Sequence, residues 1–149
     1  MAKTMMPRVL ALSGAVVLAL SGCAADSPAM TDPQRREHVG QNLEGLSQGL
    51  RAGTWSKVER FFSPTYHEGY GELRDRMENQ FRSEQIIDLQ FTVNRVLESD
   101  GLVNAQVRWH KAWVDKAGKP GKASGVSEFV LKPQGGRYSI VRIGGDRLF

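Results

Sequence analysis

The chain has 149 residues, of which 24% are charged and 40% hydrophobic, and it carries a formal net charge of +4 at pH 7. This length leaves room for one compact domain and is too short for two. The single cysteine excludes an intrachain disulfide, and the three histidines lack the paired spacing that a metal site needs.

The first 22 residues have the layout of a signal peptide. Lys3 and Arg8 form a positive flank, the stretch from Val9 to Leu20 is nearly all apolar, and no acidic residue occurs before Asp26. A membrane-spanning helix needs about 20 predominantly apolar residues, and this run is shorter. The pattern therefore favours a leader that directs export and is then removed over a permanently inserted helix.

The apolar run closes on Leu20, Ser21, Gly22 and Cys23. This arrangement resembles the lipobox of bacterial lipoproteins, which implies cleavage before Cys23 and a diacylglycerol group on its sulfur. The only cysteine of the chain stands at the position that the lipobox requires. The alternative is an ordinary secreted protein in which Cys23 follows a cleavable signal by chance.

The predicted organisation is a signal peptide over 1–22, a lipidated cysteine with a flexible tether over 23–31, and a domain over 32–149. In Gram-negative lipoproteins an Asp directly after the lipidated cysteine commonly signals inner-membrane retention, and here that position is Ala24. The resemblance implies an envelope protein anchored in membrane lipid, on the outer membrane facing the periplasm if the host is Gram-negative. Without the two basic residues of the leader, 18 basic residues face 16 acidic ones, which is too balanced to indicate a nucleic-acid partner.

Three helices are predicted at the start of the domain. The first begins with Asp32 as its N-cap and Pro33 at its first position, and it ends at Gly53. A shorter helix is expected over 55–62 and a third over 72–82. The apolar stripe of the first helix consists of Val39, Leu43, Leu46 and Leu50, and that of the third consists of Leu73, Met77 and Phe81.

Four antiparallel strands are predicted after the helices, because the apolar period becomes alternating. The sequence Ser99-Asp100-Gly101 indicates a hairpin between the first two strands, and a polar loop at 116–122 precedes strands over 124–131 and 138–143. The inward positions of the first two strands are Ile87, Leu89, Phe91, Val93, Val103, Ala105, Val107, Trp109 and Trp113. The predicted fold is α+β, with three N-terminal helices packed on one face of a curved antiparallel four-stranded meander.

Two segments resemble the nuclear transport factor 2-like superfamily. The run Ala52–Tyr66 (AGTWSKVERFFSPTY) is similar to the corner between its first two helices, and Gly136–Ile143 (GRYSIVRI) is similar to its last strand. The resemblance implies a cone whose mouth often holds a small-molecule pocket. Members of the superfamily include ketosteroid isomerases, polyketide cyclases, dehydratases and non-enzymatic binding modules. The fold that the resemblance implies therefore leaves the activity open. A lipocalin-like barrel and a cystatin-like fold are the structural alternatives, which three leading helices disfavour.

The resemblance makes Tyr66 and His67 candidates for the mouth of the cone. His67 is a candidate general base, but we interpret it as a solvated surface residue beside Glu68, because only burial would shift its pKa usefully.

Lys111 is the unusual residue of the second strand, since it shares a face with Trp109 and Trp113. Either its ammonium meets a ligand between the indole rings, or the strand leaves the core and the side chain extends into water. We favour the second interpretation, because strand ends often bend. Glu128 on the third strand is a further pocket candidate: it pairs with Lys111 if both face inward and is a surface residue otherwise.

These observations predict a lipid-anchored envelope protein whose domain is a non-catalytic module for binding a small hydrophobic ligand or for assembling with an envelope protein, with no cofactor and no metal. One alternative is an isomerase, dehydratase or cyclase acting on a small hydrophobic substrate. Another is a structural module that forms a homodimer through its sheet. The content of the pocket separates the three. An enzyme needs a buried ionisable group facing a cavity, a binding module needs a lined cavity without one, and a dimerisation module needs an exposed apolar sheet face.

Overall fold

A computed structural model of the chain describes residues 30–149. The predicted signal peptide, Cys23 and most of the tether lie outside the described residues. Among the described residues, no helix combines the length and the apolar character that crossing a membrane requires. The elements are α1 (Asp32–Ala52), α2 (Trp55–Val58), a 3-10 turn (Glu59–Phe61), α3 (Tyr70–Ser83), β1 (Glu84–Ser99), β2 (Leu102–Asp115), β3 (Pro120–Gln134) and β4 (Arg137–Gly145).

The helix α1 begins one residue earlier than predicted. Thr31 is the N-cap, and it forms a capping box with Gln34, so Asp32 is already helical. At the other end Gly53 adopts φ of 68°, the left-handed conformation that ends a helix and suits glycine. Arg35, buried near the start of α1, forms ion pairs with Asp32 and with Glu98 at the end of β1. These contacts fix the start of the helix to the sheet.

The second predicted helix is shorter than expected. Regular α-helix ends at Val58, the 3-10 turn follows, and Phe62 is already extended. Phe62 forms a parallel bridge with Ile140, and the next residue continues this contact because the Ser63 N–H donates to the Ile140 carbonyl at 2.8 Å. The loop after α2 is therefore held along β4.

The strands form one antiparallel sheet in the order β1-β2-β3-β4. The hairpin predicted between β1 and β2 is present, with positive φ at Asp100 and Gly101. The sheet has two ends. The start of β1, the end of β2 and the start of β3 lie at one end, and the β3–β4 turn lies at the other. The predicted α+β meander is confirmed.

One predicted inward position is wrong. Ile87 is 50% exposed, whereas its neighbour Ile86 is 4% exposed and faces the core. The pairing of β1 with β2 shifts between Ile86 and Asp88, so the strand bulges at Ile87 and alternation restarts beyond it. A second shift between Val93 and Arg95 bends the same strand again.

The core lies between α1 and the concave face of the sheet. Leu43, Leu46 and Leu50 of α1 are fully buried. The Ser47 hydroxyl of the same helix donates to the Leu89 carbonyl of β1 at 2.6 Å, which satisfies a buried polar group. Apolar side chains thus fill the interior beneath α1 and leave the two ends of the sheet as the places where polar groups enter.

Candidate functional site

The side chain of Lys111 points into the fold at the end of the sheet where β1 begins. It is 9% exposed, and its Nζ lies 3.0 Å from Glu84 Oε1 and 4.8 Å from the centre of the Trp113 ring. The expectation that Lys111 extends into water is therefore wrong. The strand does not leave the core, because Glu84 supplies a counter-charge on the inner side. We call this region, with the segment 146–149 that crosses it, the cone mouth.

Glu84 is the residue that makes a buried ammonium tolerable. It caps the C-terminus of α3 and starts β1, and its side chain is 15% exposed. Its carboxylate accepts hydrogen bonds from both Lys111 and the Gln80 amide. The Gln80 Oε1 atom is buried without a hydrogen-bond partner. The mouth therefore holds an ion pair and one unsatisfied acceptor.

The segment 146–149 folds back over the mouth after β4. Gly145 turns the chain with φ of 86°, and the Asp146 N–H then donates to the Val126 carbonyl at 3.0 Å. Leu148 is 3% exposed, and its carbonyl accepts a hydrogen bond of 3.3 Å from Lys111 Nζ. Phe149 packs edge-on against Phe62 with ring centres 6.4 Å apart. The segment thus presents one carbonyl and two apolar side chains to the mouth.

Tyr66 borders the mouth from the loop after α2. It is 6% exposed and packs edge-on against Phe62. Burial raises the pKa of its phenol, and the negative charge of Glu68 raises it further. Tyr66 lines a cleft of about 310 Å³ together with Arg76, Glu68 and the segment 143–149. Arg76 pairs with Glu68 at 2.8 Å, while its Nε atom is buried without a partner.

The two tryptophans occupy different positions in the mouth. Trp109 is 3% exposed and belongs to the core, where its indole N–H donates to Ser127 Oγ at 2.9 Å. Ser127 Oγ donates in turn to the Asp146 carbonyl at 2.7 Å, which links the core to the segment 146–149. Trp113 is half-buried and lies on Gly121, where a side chain would overlap the ring. Trp113 therefore borders the mouth, and Trp109 supports it from below.

Two candidate residues lie outside the mouth. His67 is exposed, and its backbone N–H donates to the Val141 carbonyl at 2.8 Å. Glu128 is exposed on the convex face of the sheet, beside Arg95 and Gln106, so the alternative in which it pairs with Lys111 is wrong. Alternation along β3 puts Glu128 on the face opposite to Phe129, which is fully buried.

Sequence reasoning missed three groups of the mouth: Glu84, Arg76 and the segment 146–149. Glu84 lies 27 positions from Lys111 and meets it only through the fold. The segment had a sequence signal in the preceding Gly144-Gly145 pair, which marks a turn, and in the apolar Leu148-Phe149 that follows. Among residues 30–149 no three His, Asp or Glu side chains cluster in a way that could hold a metal ion.

No protein-family profile matches the chain, and no curated protein matches it in sequence. Solved structures do match it in fold. They include a conserved protein from Planctomyces limnophilus with a TM-score of 0.65 and 9% identity, where the match covers 73% of this chain and 92% of that protein. A ketosteroid isomerase-like protein from Erwinia carotovora atroseptica has a TM-score of 0.61 and 13% identity, over 74% and 93% of the two chains.

A nuclear transport factor 2-like superfamily protein from Salmonella enterica matches with a TM-score of 0.60 and 10% identity, over 76% of this chain and 93% of that one. The described chain packs its helices on one four-stranded antiparallel sheet, and the solved proteins named for this superfamily align with it over most of their length. The domain therefore has the nuclear transport factor 2-like fold, as the two sequence segments predicted. At these identities the likeness shows the fold alone, and it does not assign a function to the mouth.

Proposed function

We propose that this chain is a lipid-anchored protein of the bacterial envelope whose cone mouth binds a small hydrophobic ligand that carries a carbonyl group. The observation that carries this proposal is the inward ammonium of Lys111, which donates to the main-chain carbonyl of Leu148. We interpret the segment 146–149 as a placeholder that a ligand displaces.

The chemistry of the mouth defines the ligand class. Glu84 already neutralises Lys111, so the pair attracts a polar acceptor more readily than a second anion. The acceptor that now occupies the position is an amide carbonyl, and a ketone, ester or amide of a ligand is its chemical equivalent. The apolar side chains of Leu148 and Phe149 occupy the space that the hydrophobic body of the ligand would take.

The setting of the carboxylates favours binding over catalysis. Three carboxylates line the mouth and its cleft: Glu84 is paired with Lys111, Glu68 is paired with Arg76, and Asp146 is exposed. A carboxylate that serves as a general base is typically buried and away from cations, and none of the three meets both conditions. The enzymatic alternative is an isomerase-type reaction in which Lys111 polarises a substrate carbonyl. It predicts turnover that is lost in Lys111→Met, and binding alone does not.

The ligand proposal is tested by isothermal titration of the full chain with benzylacetone, a ketone with one aromatic ring, and with butylbenzene, which lacks the carbonyl. The ketone should bind at least about tenfold more tightly, because a hydrogen bond to a charged group contributes roughly 1.5–3 kcal/mol. Lys111→Met should remove this preference. The matched control is Lys132→Met, which changes an exposed lysine of β3 and should leave it intact.

A second variant keeps the proposal testable if Lys111→Met fails to fold. Phe149→Ala opens the mouth without touching the ion pair, so it should tighten binding of benzylacetone. Equal affinity for ketone and hydrocarbon in the unmodified chain, or no effect of either substitution, would contradict the proposal.

The anchor is tested separately. The lipobox resemblance and the lone cysteine support it, and α1 begins directly after the predicted tether. Cys23→Ala should abolish incorporation of labelled palmitate and release the protein from the membrane fraction, while Ser21→Ala, which keeps a small residue before the cleavage site, should not. A Cys23→Ala protein that stays membrane-bound and is cleaved at the same site would overturn the anchor but leave the ligand proposal standing.

A further inference from the structure

A second cavity lies at the opposite end of the sheet from the cone mouth. It has a volume of about 330 Å³ and runs between α1, the 3-10 turn and the β3–β4 turn. We call it the α1 groove. The side chains that line it are His38, Gln41, Asn42, Arg60, Phe61, Arg137 and Tyr138, with Gly45 and Gly136 at its wall.

The α1 groove is cationic. Arg60 and Arg137 both line it and are exposed, and neither forms an ion pair with any residue of 30–149. His38 adds an imidazole, and none of the lining residues carries a carboxylate. Two arginines from separate elements thus line one cavity whose lining contains no acidic residue. This arrangement recognises an anion with several oxygens.

The wall of the α1 groove is partly apolar. The Arg60 guanidinium lies 4.9 Å from the centre of the Phe61 ring, and the absence of a side chain at Gly45 leaves that ring close to α1. Asn42 forms the polar part of the wall: its Nδ2 donates to the Tyr138 carbonyl at 3.1 Å, and its Oδ1 is buried without a donor. An anion with a small apolar or aromatic body therefore matches the lining better than a bare ion.

We infer that the α1 groove is a binding site for an organic phosphate. A phosphate group offers three oxygens to the two guanidinium groups and the imidazole, whereas a carboxylate offers only two. The volume is at the lower end of ligand pockets and accommodates a phosphate joined to one ring or a short polar chain. The site is distinct from the cone mouth, since it uses other residues at the other end of the sheet.

A terminal phosphate with three free oxygens is available from two sources, a free phosphomonoester and the headgroup of phosphatidic acid in a membrane. The experiment uses phenyl phosphate for the first and the water-soluble dihexanoyl phosphatidic acid for the second. Each is titrated calorimetrically into the full chain in neutral detergent. Saturable binding of either supports the site, and the tighter of the two identifies the source.

The variants decide whether binding occurs in the α1 groove. Arg60→Gln and Arg137→Gln should each weaken binding at least about tenfold, since each removes charged hydrogen bonds to the phosphate. Added salt should weaken it as well. The control Arg108→Gln removes an exposed arginine from β2. It should change the affinity for phosphate less than about twofold, whereas each groove variant should change it about tenfold.

Three results would overturn the inference: no saturable binding of either probe, equal losses in Arg108→Gln and the two groove variants, or unchanged affinity in both groove variants. All three arginines are exposed, so thermal unfolding should show that the variants remain folded. Lys111→Met should leave phosphate binding unchanged, which keeps this test separate from that of the cone mouth.

Discussion

The pair formed by Lys111 and Glu84 is the residue-scale feature that most distinguishes the cone mouth. Withdrawing an ammonium and a carboxylate from water costs several kcal/mol for each ion, and their attraction offsets this cost only when further hydrogen bonds complete the site. Here the Gln80 amide and the Leu148 carbonyl provide them. Leu148 is the one partner that belongs to neither a helix nor a strand, so it is the partner that a ligand can replace.

We predict that Lys111→Met lowers the free energy of unfolding by about 3 kcal/mol, because it leaves the Glu84 carboxylate buried without its counter-charge. The double variant with Glu84→Gln should recover part of the loss, since no buried charge remains. Urea denaturation measures both. Lys132→Met, on the exposed face of β3, should stay within about 0.5 kcal/mol of the unmodified protein. If Lys111→Met is as stable as Lys132→Met, the pair of Lys111 and Glu84 contributes little to the free energy of unfolding.

Tyr66 gives a pH-dependent prediction. Burial raises the pKa of its phenol above the ordinary value of about 10. A group with a raised pKa in the folded state contributes stability that is complete below its unfolded pKa and is lost as the pH rises through the folded value. The unfolding free energy should therefore fall as the pH rises above about 10.

Tyr66→Phe should reduce this alkaline loss, because it removes a phenol that prefers to stay protonated in the fold. Urea unfolding from neutral pH to about pH 11 provides the comparison. The loss should shrink rather than vanish, since burial also raises the pKa of Tyr70 and Tyr138. If the free energy of unfolding falls equally steeply with alkaline pH in both proteins, Tyr66 does not contribute to the loss and the prediction is wrong.

At the scale of elements, the sequence predicted the helices, the strands and their order, because each has a local signal. The stripe of α1, the Asp100-Gly101 turn and the change of apolar period all lie within a few residues of what they specify. The bulge at Ile87 could not be predicted, since two adjacent isoleucines fit either register and the pairing with β2 decides between them.

The candidate site was predictable only in part, for the same physical reason. Lys111 and Trp113 were recognised from the alternation of β2 and Tyr66 from the family resemblance, and all three border the mouth. Whether Lys111 points inward depends on Glu84, which is distant in sequence. A charge on an apolar strand face is ambiguous until its partner is known, and partners are set by tertiary contacts.

The glycines of α1 provide an element-scale prediction. A methyl group at Gly49 would lie 2.7 Å from the Lys57 carbonyl oxygen, whereas one at Gly40 would meet nothing within 4 Å. Gly49→Ala should therefore destabilise the protein by about 1–3 kcal/mol through overpacking. Gly40→Ala should stabilise it by up to about 1 kcal/mol through helix propensity.

Thermal or urea unfolding of the two alanine variants checks this pair directly. The changes in the free energy of unfolding should have opposite signs. Both variants replace glycine by alanine in α1, and only the surroundings of the two positions differ. Stabilisation by both would show that α2 can move away from α1 at little cost, and the close packing of the two helices would not be a constraint on the fold.

At the scale of the whole molecule, the sheet separates two sites of different chemistry. The cone mouth holds a neutralised ion pair under the chain's own segment 146–149, and the α1 groove at the other end holds two arginines without an acidic partner in the described chain. The convex face of the sheet exposes Ile87, Leu97 and Val126 among polar residues. The fold shared with a ketosteroid isomerase-like protein does not indicate which of these surfaces is functional, so each needs its own experiment.

The most direct test of the ligand proposal follows the amide signals of Leu148 and Phe149 by nuclear magnetic resonance while benzylacetone is added to the isotopically labelled full chain. We expect large, saturable shifts at these two residues and at Lys111, and none at Tyr138 in the α1 groove. Such a result would mean that a carbonyl ligand enters the mouth and displaces the segment. Unchanged Leu148 and Phe149 signals at saturating ketone would contradict the proposal, since the segment would then be a permanent part of the core.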